Sequence, residues 1–153
     1  MRPLDAAEVR LVLKTARSHR LSALWLLLVS TGLRRSEALA LTWGDIDLVN
    51  GQLRVRRNVQ RIRRELIFGS PKTMRSVRTV SLPKRCVQAL TQHRAQQERE
   101  RKAARKRWQP GPGQPDGLIF TTTTGRVTDP RNLNRMLTIL RRDANVRRVA
   151  RSR

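Results

Sequence analysis

The chain has no tyrosine, one cysteine, two histidines and 11 acidic residues among 153. Each scarcity closes off some chemistry. Without tyrosine no phenolic oxygen is available as a nucleophile. One cysteine, Cys86, makes an intrachain disulfide impossible and fits a reducing compartment. Cys86 itself reads as a small packing residue. Aromatic residues total 3%, with no stacking motif of the RNA-recognition kind. The apolar run from Leu21 to Val29 is too short for the ~20 residues a bilayer needs. The opening "MRPLDAAEVR" has no apolar signal region. These absences predict a soluble, cytoplasmic protein with no membrane partner.

What is abundant is positive charge. Thirty-four Lys and Arg face 11 acids, a net of +23, with a sequence pI of about 12.0. The first 50 residues hold 7 basic and 5 acidic side chains, and the remaining 103 hold 27 and 6. A near-neutral front with a cationic remainder suits one apolar packing unit followed by segments that face phosphate. The most basic run, "RERKAARKR" (99–107), has no large apolar residue. It can hold phosphates but cannot insert into a membrane surface. Nucleic acid is therefore the expected partner.

The pattern predicts an α+β fold, mainly helical with a small antiparallel sheet. Asp5 and Glu8 form a capping-box pattern before a helix whose inner face is Val9, Val12, Leu13 and Ala16. A nearly all-apolar helix follows over residues 21–30, ended by Gly32 in the left-handed position. A third helix is expected from Arg35 or Ser36 to about Thr42. Asn50-Gly51 signals a two-residue hairpin between Ile46/Leu48 and Leu53/Val55. A turn is possible around residues 63–65, and a strand is expected over 77–82. Next come a long helix over 83–106, a Pro/Gly loop over 109–117 and a short strand "LIFTT". The last helix is capped by Asp129 with Pro130 in its first turn. Its apolar stripe is Leu133, Met136, Leu137 and Leu140.

The stretch "STGLRRSEALALTW" (30–43) ends a buried helix and at once presents two arginines and a glutamate. A helix start offers free N–H groups to an anion, and a guanidinium beside them adds a fork for phosphate oxygens. Read alone, the same residues also fit surface charges with Glu37 completing a helix start.

"TGLRRSEALALTWGDIDLVNGQLRVRR" closely resembles the start of the catalytic domain of tyrosine recombinases, the phage-integrase family. The family pattern T-G-x-R-x-x-E, then W-x-D-I/V-D, falls on Thr31, Gly32, Arg34, Glu37, Trp43, Asp45, Ile46 and Asp47. "PKTMRSVRTVSLP" and "GLIFTTTTGRVTDPRNLNR" resemble later segments of the same domain. The resemblance runs from about Leu4 to Ala144 and implies a partial tyrosine-recombinase catalytic core over 1–144, with 145–153 as a disordered basic tail. It implies DNA integration or recombination through a covalent phosphotyrosine, without metal or nucleotide cofactor. Double-stranded DNA is the implied partner, and family members assemble on it as tetramers.

Carried over residue by residue, Arg34 is the arginine that holds the scissile phosphate. Lys72 matches the general acid for the leaving oxygen, and equally fits a phosphate-binding or solvated loop lysine. Glu37 matches a supporting acid that positions Arg34. Arg35, Arg54, Arg56, Arg57, Arg75 and Arg78 are expected to hold DNA phosphates, as are Arg61, Arg63 and Arg64. The family's H-x-x-R pair and tyrosine have no counterpart here. Neither histidine has an arginine three residues on; His19 is expected to be exposed and His93 to pack or cap. These gaps predict an incomplete domain whose lower face, including Leu133 and Leu137, is poorly covered. They also predict a chain that binds DNA without cutting it. A basic RNA-binding protein is the alternative outside the family.

Overall fold

A computed structural model describes residues 3–70 and 77–144. The predicted capping box opens α1 (Ala6–Ala16): Asp5 accepts the Glu8 N–H and Glu8 accepts the Asp5 N–H, both at 2.9 Å. Val12 and Ala16 are buried, while Val9 and Leu13 are half-buried. α2 (Ser22–Thr31) lies beside α1 and buries Ala23, Leu24, Trp25 and Leu27. It ends as expected, with Gly32 at φ 68°, a conformation that costs glycine little.

α3 is shorter than the sequence predicts. It is one turn, Arg35–Ala38, not a helix reaching Thr42. The reason is non-local. The Leu41 carbonyl accepts the Ile119 N–H at 3.0 Å and the Trp43 N–H donates to the Gly117 carbonyl at 2.9 Å. Backbone groups that would continue the helix are spent on this later segment. A 3-10 turn, Trp43–Asp45, follows.

Five strands make two sheets, where one was expected. β1 (Ile46–Asp47), β2 (Gln52–Val55) and β5 (Arg78–Ser81) form an antiparallel sheet in the order β1-β2-β5. β3 (Asn58–Ile62) and β4 (Glu65–Gly69) form a separate hairpin. The first hairpin does close at Asn50-Gly51, but Asp47 pairs with Gln52, so its loop has four residues, 48–51. Asp47 shapes that loop by accepting the Val49 and Asn50 N–H groups at 3.0 Å. The second hairpin turns at Arg63, whose φ is 59°.

α4 (Lys84–Ala104) packs on α2 through Cys86 and Leu90. A 3-10 turn, Arg105–Arg107, extends it. The expected strand "LIFTT" exists only as two isolated bridges, Thr42 with Leu118 and Thr121 with Val127. α5 (Pro130–Asp143) starts at the predicted Asp129 cap, which accepts the Arg131 N–H at 2.9 Å, and packs on α1. Leu133 is fully buried and Leu137 half-buried, so the expected bare face at Leu133 does not occur. One core joins these layers around Leu24, Leu27, Leu39, Leu53, Leu90, Ile119 and Phe120. The tail expected over 145–153 lies outside the described residues.

Candidate nucleic-acid interface

The interface starts where Gly32 reverses the chain and Leu33, 6% exposed, pins it to the core. Arg34 is the N-cap of α3 in extended conformation, and its side chain is exposed. The Glu37 N–H donates to the Arg34 carbonyl at 3.0 Å, and the Glu37 carboxylate accepts the Arg34 N–H at 3.1 Å. That carboxylate also takes both ends of the Arg78 guanidinium, at 2.7 Å and 3.3 Å. The two-point grip fixes Arg78 in angle as well as distance.

Charge balance follows from this geometry. Burial pushes the Glu37 carboxyl upward. Hydrogen bonds from Arg78 and the Arg34 N–H, with the charges of both arginines, outweigh that and hold it below its ordinary value. The same carboxylate raises Arg78 further above its ordinary value. Glu37 therefore stays ionised and is neutralised by Arg78. It grips Arg34 through the main chain, not the guanidinium. The Arg34 side chain makes no hydrogen bond or ion pair with a described residue. The anion expected at the start of α3 is already present as Glu37's own carboxylate, so any phosphate chemistry here falls to the guanidinium.

A second acid organises the following arginines. Asp45, with a side chain 1% exposed, accepts the Thr42 N–H and hydroxyl at 3.0 Å. It also accepts Arg56 Nε and Arg57 Nη1, both at 2.6 Å. Arg57 is thereby tied into the wall of the core, whereas Arg56 keeps 46% of its side chain exposed. This clamp holds the two residues between β2 and β3, where the chain passes from one sheet to the other. Arg35 and Arg54 are exposed. Arg61 pairs with Asp129 and so ties the β3–β4 hairpin to the α5 cap. Hydrogen bonds from Arg61 and the Arg131 N–H hold the Asp129 carboxyl below its ordinary value despite burial. Lys72 and Arg75 lie outside the described residues.

The histidines take no part in this face. His93 is buried, and its Nε2 lies 2.7 Å from the Ile119 carbonyl. A carbonyl only accepts, so Nε2 carries the proton. Burial pulls His93 below the ordinary imidazole value, which leaves it neutral and structural. His19 is half-buried, not exposed as expected; its Nδ1 accepts the Leu21 N–H at 3.0 Å. Among the described residues no grouping of His, Cys, Asp and Glu could hold a metal ion. No helix of the described residues is long and apolar enough to cross a membrane.

The family model described as phage integrase family matches residues 2–152. The chain belongs to the phage integrase family. A tyrosine recombinase XerC-like protein of Caldanaerobacter subterraneus subsp. tengcongensis is 34% identical over 82% of this chain and 34% of its own length. An integrase of Streptomyces ambofaciens is 32% identical over 93% of this chain and 36% of its own. The chain thus spans about a third of the length of these relatives. Among solved structures, the Tn1549 transposon integrase bound to a circular intermediate DNA superposes with a TM-score of 0.76. It shares 21% identity over 94% of this chain and 45% of that one. The XerA recombinase superposes with a TM-score of 0.70 at 21% identity, over 94% of this chain and 43% of that one. The fold is therefore that of the tyrosine recombinases.

Within this family frame, Arg34, Glu37 and Arg78 meet at one exposed face, although Arg78 stands 41 positions after Glu37. Reading the sequence placed Arg78 among the phosphate ligands and missed its grip on Glu37. The signal available was a single acid in a basic neighbourhood, which must take a partner from somewhere. The family pattern marks Asp45 without showing that it holds Arg56 and Arg57. The spacing in D-I-D…R-R carries that information only once the hairpin is folded.

Proposed function

We propose that this integrase-family segment binds the phosphate backbone of duplex DNA through the face around Arg34 and, as this chain, makes no cut. The carrying observation is that Arg34 is held rigidly by its main chain while its guanidinium is exposed. A cation anchored through its main chain at an exposed edge, backed by an ionised Glu37 and the guanidinium of Arg78, suits the two non-bridging oxygens of a phosphodiester. Arg35, Arg54 and Arg56 are exposed around it and serve as further backbone contacts, which position the duplex without reading its sequence. Arg57 and Arg61 are committed to Asp45 and Asp129 and serve mainly to hold the β3–β4 hairpin. By the family resemblance, Lys72 is the general-acid candidate and Arg75 a further phosphate ligand. The Tn1549 transposon integrase was solved in complex with circular intermediate DNA, and its fold is shared with this chain.

The chain has no tyrosine, so the family's phosphotyrosine cannot form on it, and Arg34 with Lys72 would stabilise a phosphate that nothing attacks. The test is duplex affinity across a salt series for wild type and Arg34→Gln. Wild-type affinity should fall steeply with salt, and Arg34→Gln should reduce the log–log slope by about 1. A salt-insensitive wild type, or an unchanged slope in the variant, would refute the proposal.

A further inference from the structure

The most basic stretch of the chain is not used by the face around Arg34. The last turns of α4 and the 3-10 turn after it carry Arg99, Arg101, Lys102, Arg105, Lys106 and Arg107, all exposed. None of the six makes an ion pair with a described residue. The half-buried Glu100 is already taken by Arg20 at 2.5 Å, which leaves Glu98 as the other carboxylate on these turns. Six like charges within nine residues repel one another and weaken the folded chain. Nothing in the core requires them, since this end of α4 is anchored through Gln97 and Ala104.

The cluster is also not a loose tail. The chain turns sharply at Arg105, whose φ is 51°. The Trp108 N–H returns to the Arg105 carbonyl at 3.2 Å, and the Gln109 N–H donates to the Thr124 carbonyl at 2.8 Å. Beyond the turn, the Trp108 indole packs against Gly125 so closely that a Cβ there would lie 2.7 Å from the ring. The three cations of the turn are therefore held between two fixed points, which lowers the ordering cost of binding.

Position separates this cluster from the first face. β5, which carries Arg78, ends at Ser81, and α4 starts at Lys84. With ~1.5 Å of rise per residue, the 21 residues of α4 carry the chain roughly 30 Å away from there. The cations around Arg34 are carried by α3, β2 and β5, whereas these lie past Gln97 on α4 and its following turn, so the two groups stand on different elements.

We propose that the end of α4 and its following turn form a second duplex-backbone surface, distinct from that around Arg34. This rests on the DNA-binding reading above and deepens it by adding a second stretch of DNA. The contact is assigned to phosphates because six exposed cations without an ion-pair partner among the described residues match the charge of the backbone, the sequence-independent part of duplex binding.

The test compares wild type with the triple variant Arg105→Gln/Lys106→Gln/Arg107→Gln and with Arg99→Gln/Arg101→Gln/Lys102→Gln. Circular dichroism confirms that each is folded. Affinity for a 30-base-pair duplex is measured between 50 and 200 mM salt. Each triple variant should flatten the log–log slope by about 2.7, three contacts at about 0.9 each. Over that fourfold salt range, wild type then loses about 40-fold more affinity than the variant. If wild type binds duplex and both triple variants keep its slope, the second surface is refuted and the Arg34 face stands. If wild type fails to bind duplex at all, both readings fall together. Structured RNA displacing the duplex from wild type but not from the triple variants would also overturn the proposal, by assigning the surface to RNA.

Discussion

Replacing Glu37 by glutamine tests the internal logic of the Arg34 face. The substitution keeps the shape and removes the charge. The carboxylate makes one hydrogen bond to the Arg34 N–H and two to Arg78. An amide can still accept from the Arg34 N–H but cannot accept at two points from the guanidinium. A charge-assisted hydrogen bond is worth about 1.5–3 kcal/mol, and breaking a fully buried pair costs about 3–5 kcal/mol. Arg78 is 40% exposed, so water recovers much of its solvation and the lower end applies. A loss of about 1–2 kcal/mol at pH 7 is expected. For a chain of this size that lowers Tm by roughly 3–6 °C.

The pH dependence sharpens the test. The folded Glu37 carboxyl lies below its ordinary value, so the unfolded chain binds the proton more readily. The stability this adds is complete above the ordinary carboxyl value, about 4.5, and is lost as pH falls through the lower folded value. Thermal unfolding followed by circular dichroism at pH 7 and near pH 3.5 should therefore show a gap between wild type and Glu37→Gln that narrows in acid. Equal Tm values at pH 7, or a gap that grows on acidification, would refute the pairing argument.

Three further outcomes follow from other parts of the fold. Asp45→Ala leaves Arg57 and Thr42 without their acceptor in a closed site and should cost about 3 kcal/mol in denaturant unfolding; a loss under 1 kcal/mol would show the clamp to be dispensable. Gly125→Ala must accept φ 87° and a Cβ within 2.7 Å of the Trp108 ring, so about 2 kcal/mol or more should be lost together with a change in tryptophan emission. An unchanged emission spectrum would contradict the packing. His93 is held neutral by burial, so its contribution is full above about 6.5, the ordinary imidazole value, and declines as pH falls toward its lower folded value. His93→Gln, which can still donate to Ile119, should flatten wild type's fall in stability below pH 6.5, and an unaltered profile would count against it.

Local signals in the sequence read through to structure wherever their partners were local. The Asp5/Glu8 box, the left-handed Gly32 and the Asp129-Pro130 start each concern four residues or fewer, and each formed. Features set by distant partners did not show. α3 stops early because residues 41–43 pair with residues 117–119, 76 or so positions away. The polar second half of α4 conceals a buried face: Gln97 donates to the Leu118 and Ile119 carbonyls at 2.9 Å and 3.0 Å and accepts from Trp43 Nε1 at 2.7 Å. Gln97 shares the helical phase of Cys86, Leu90 and His93, but its polar side chain hides that this face stays buried so far along the helix. The clamp of Asp45 on Arg56 and Arg57 is likewise an ion-pair choice that an excess of arginines leaves open. At the candidate site the motif T-G-x-R-x-x-E located Arg34 and Glu37, while the partner of Glu37 required the folded sheet.

The central claim is that this chain holds a phosphate backbone without cutting it. A labelled duplex nicked at one strand, incubated with the chain at 50 mM salt and divided between native and denaturing gels, tests it directly. The prediction is a shifted band on the native gel that weakens as salt is raised, and free DNA alone on the denaturing gel. A native gel with no shift, or a protein–DNA adduct that survives denaturant, would contradict it.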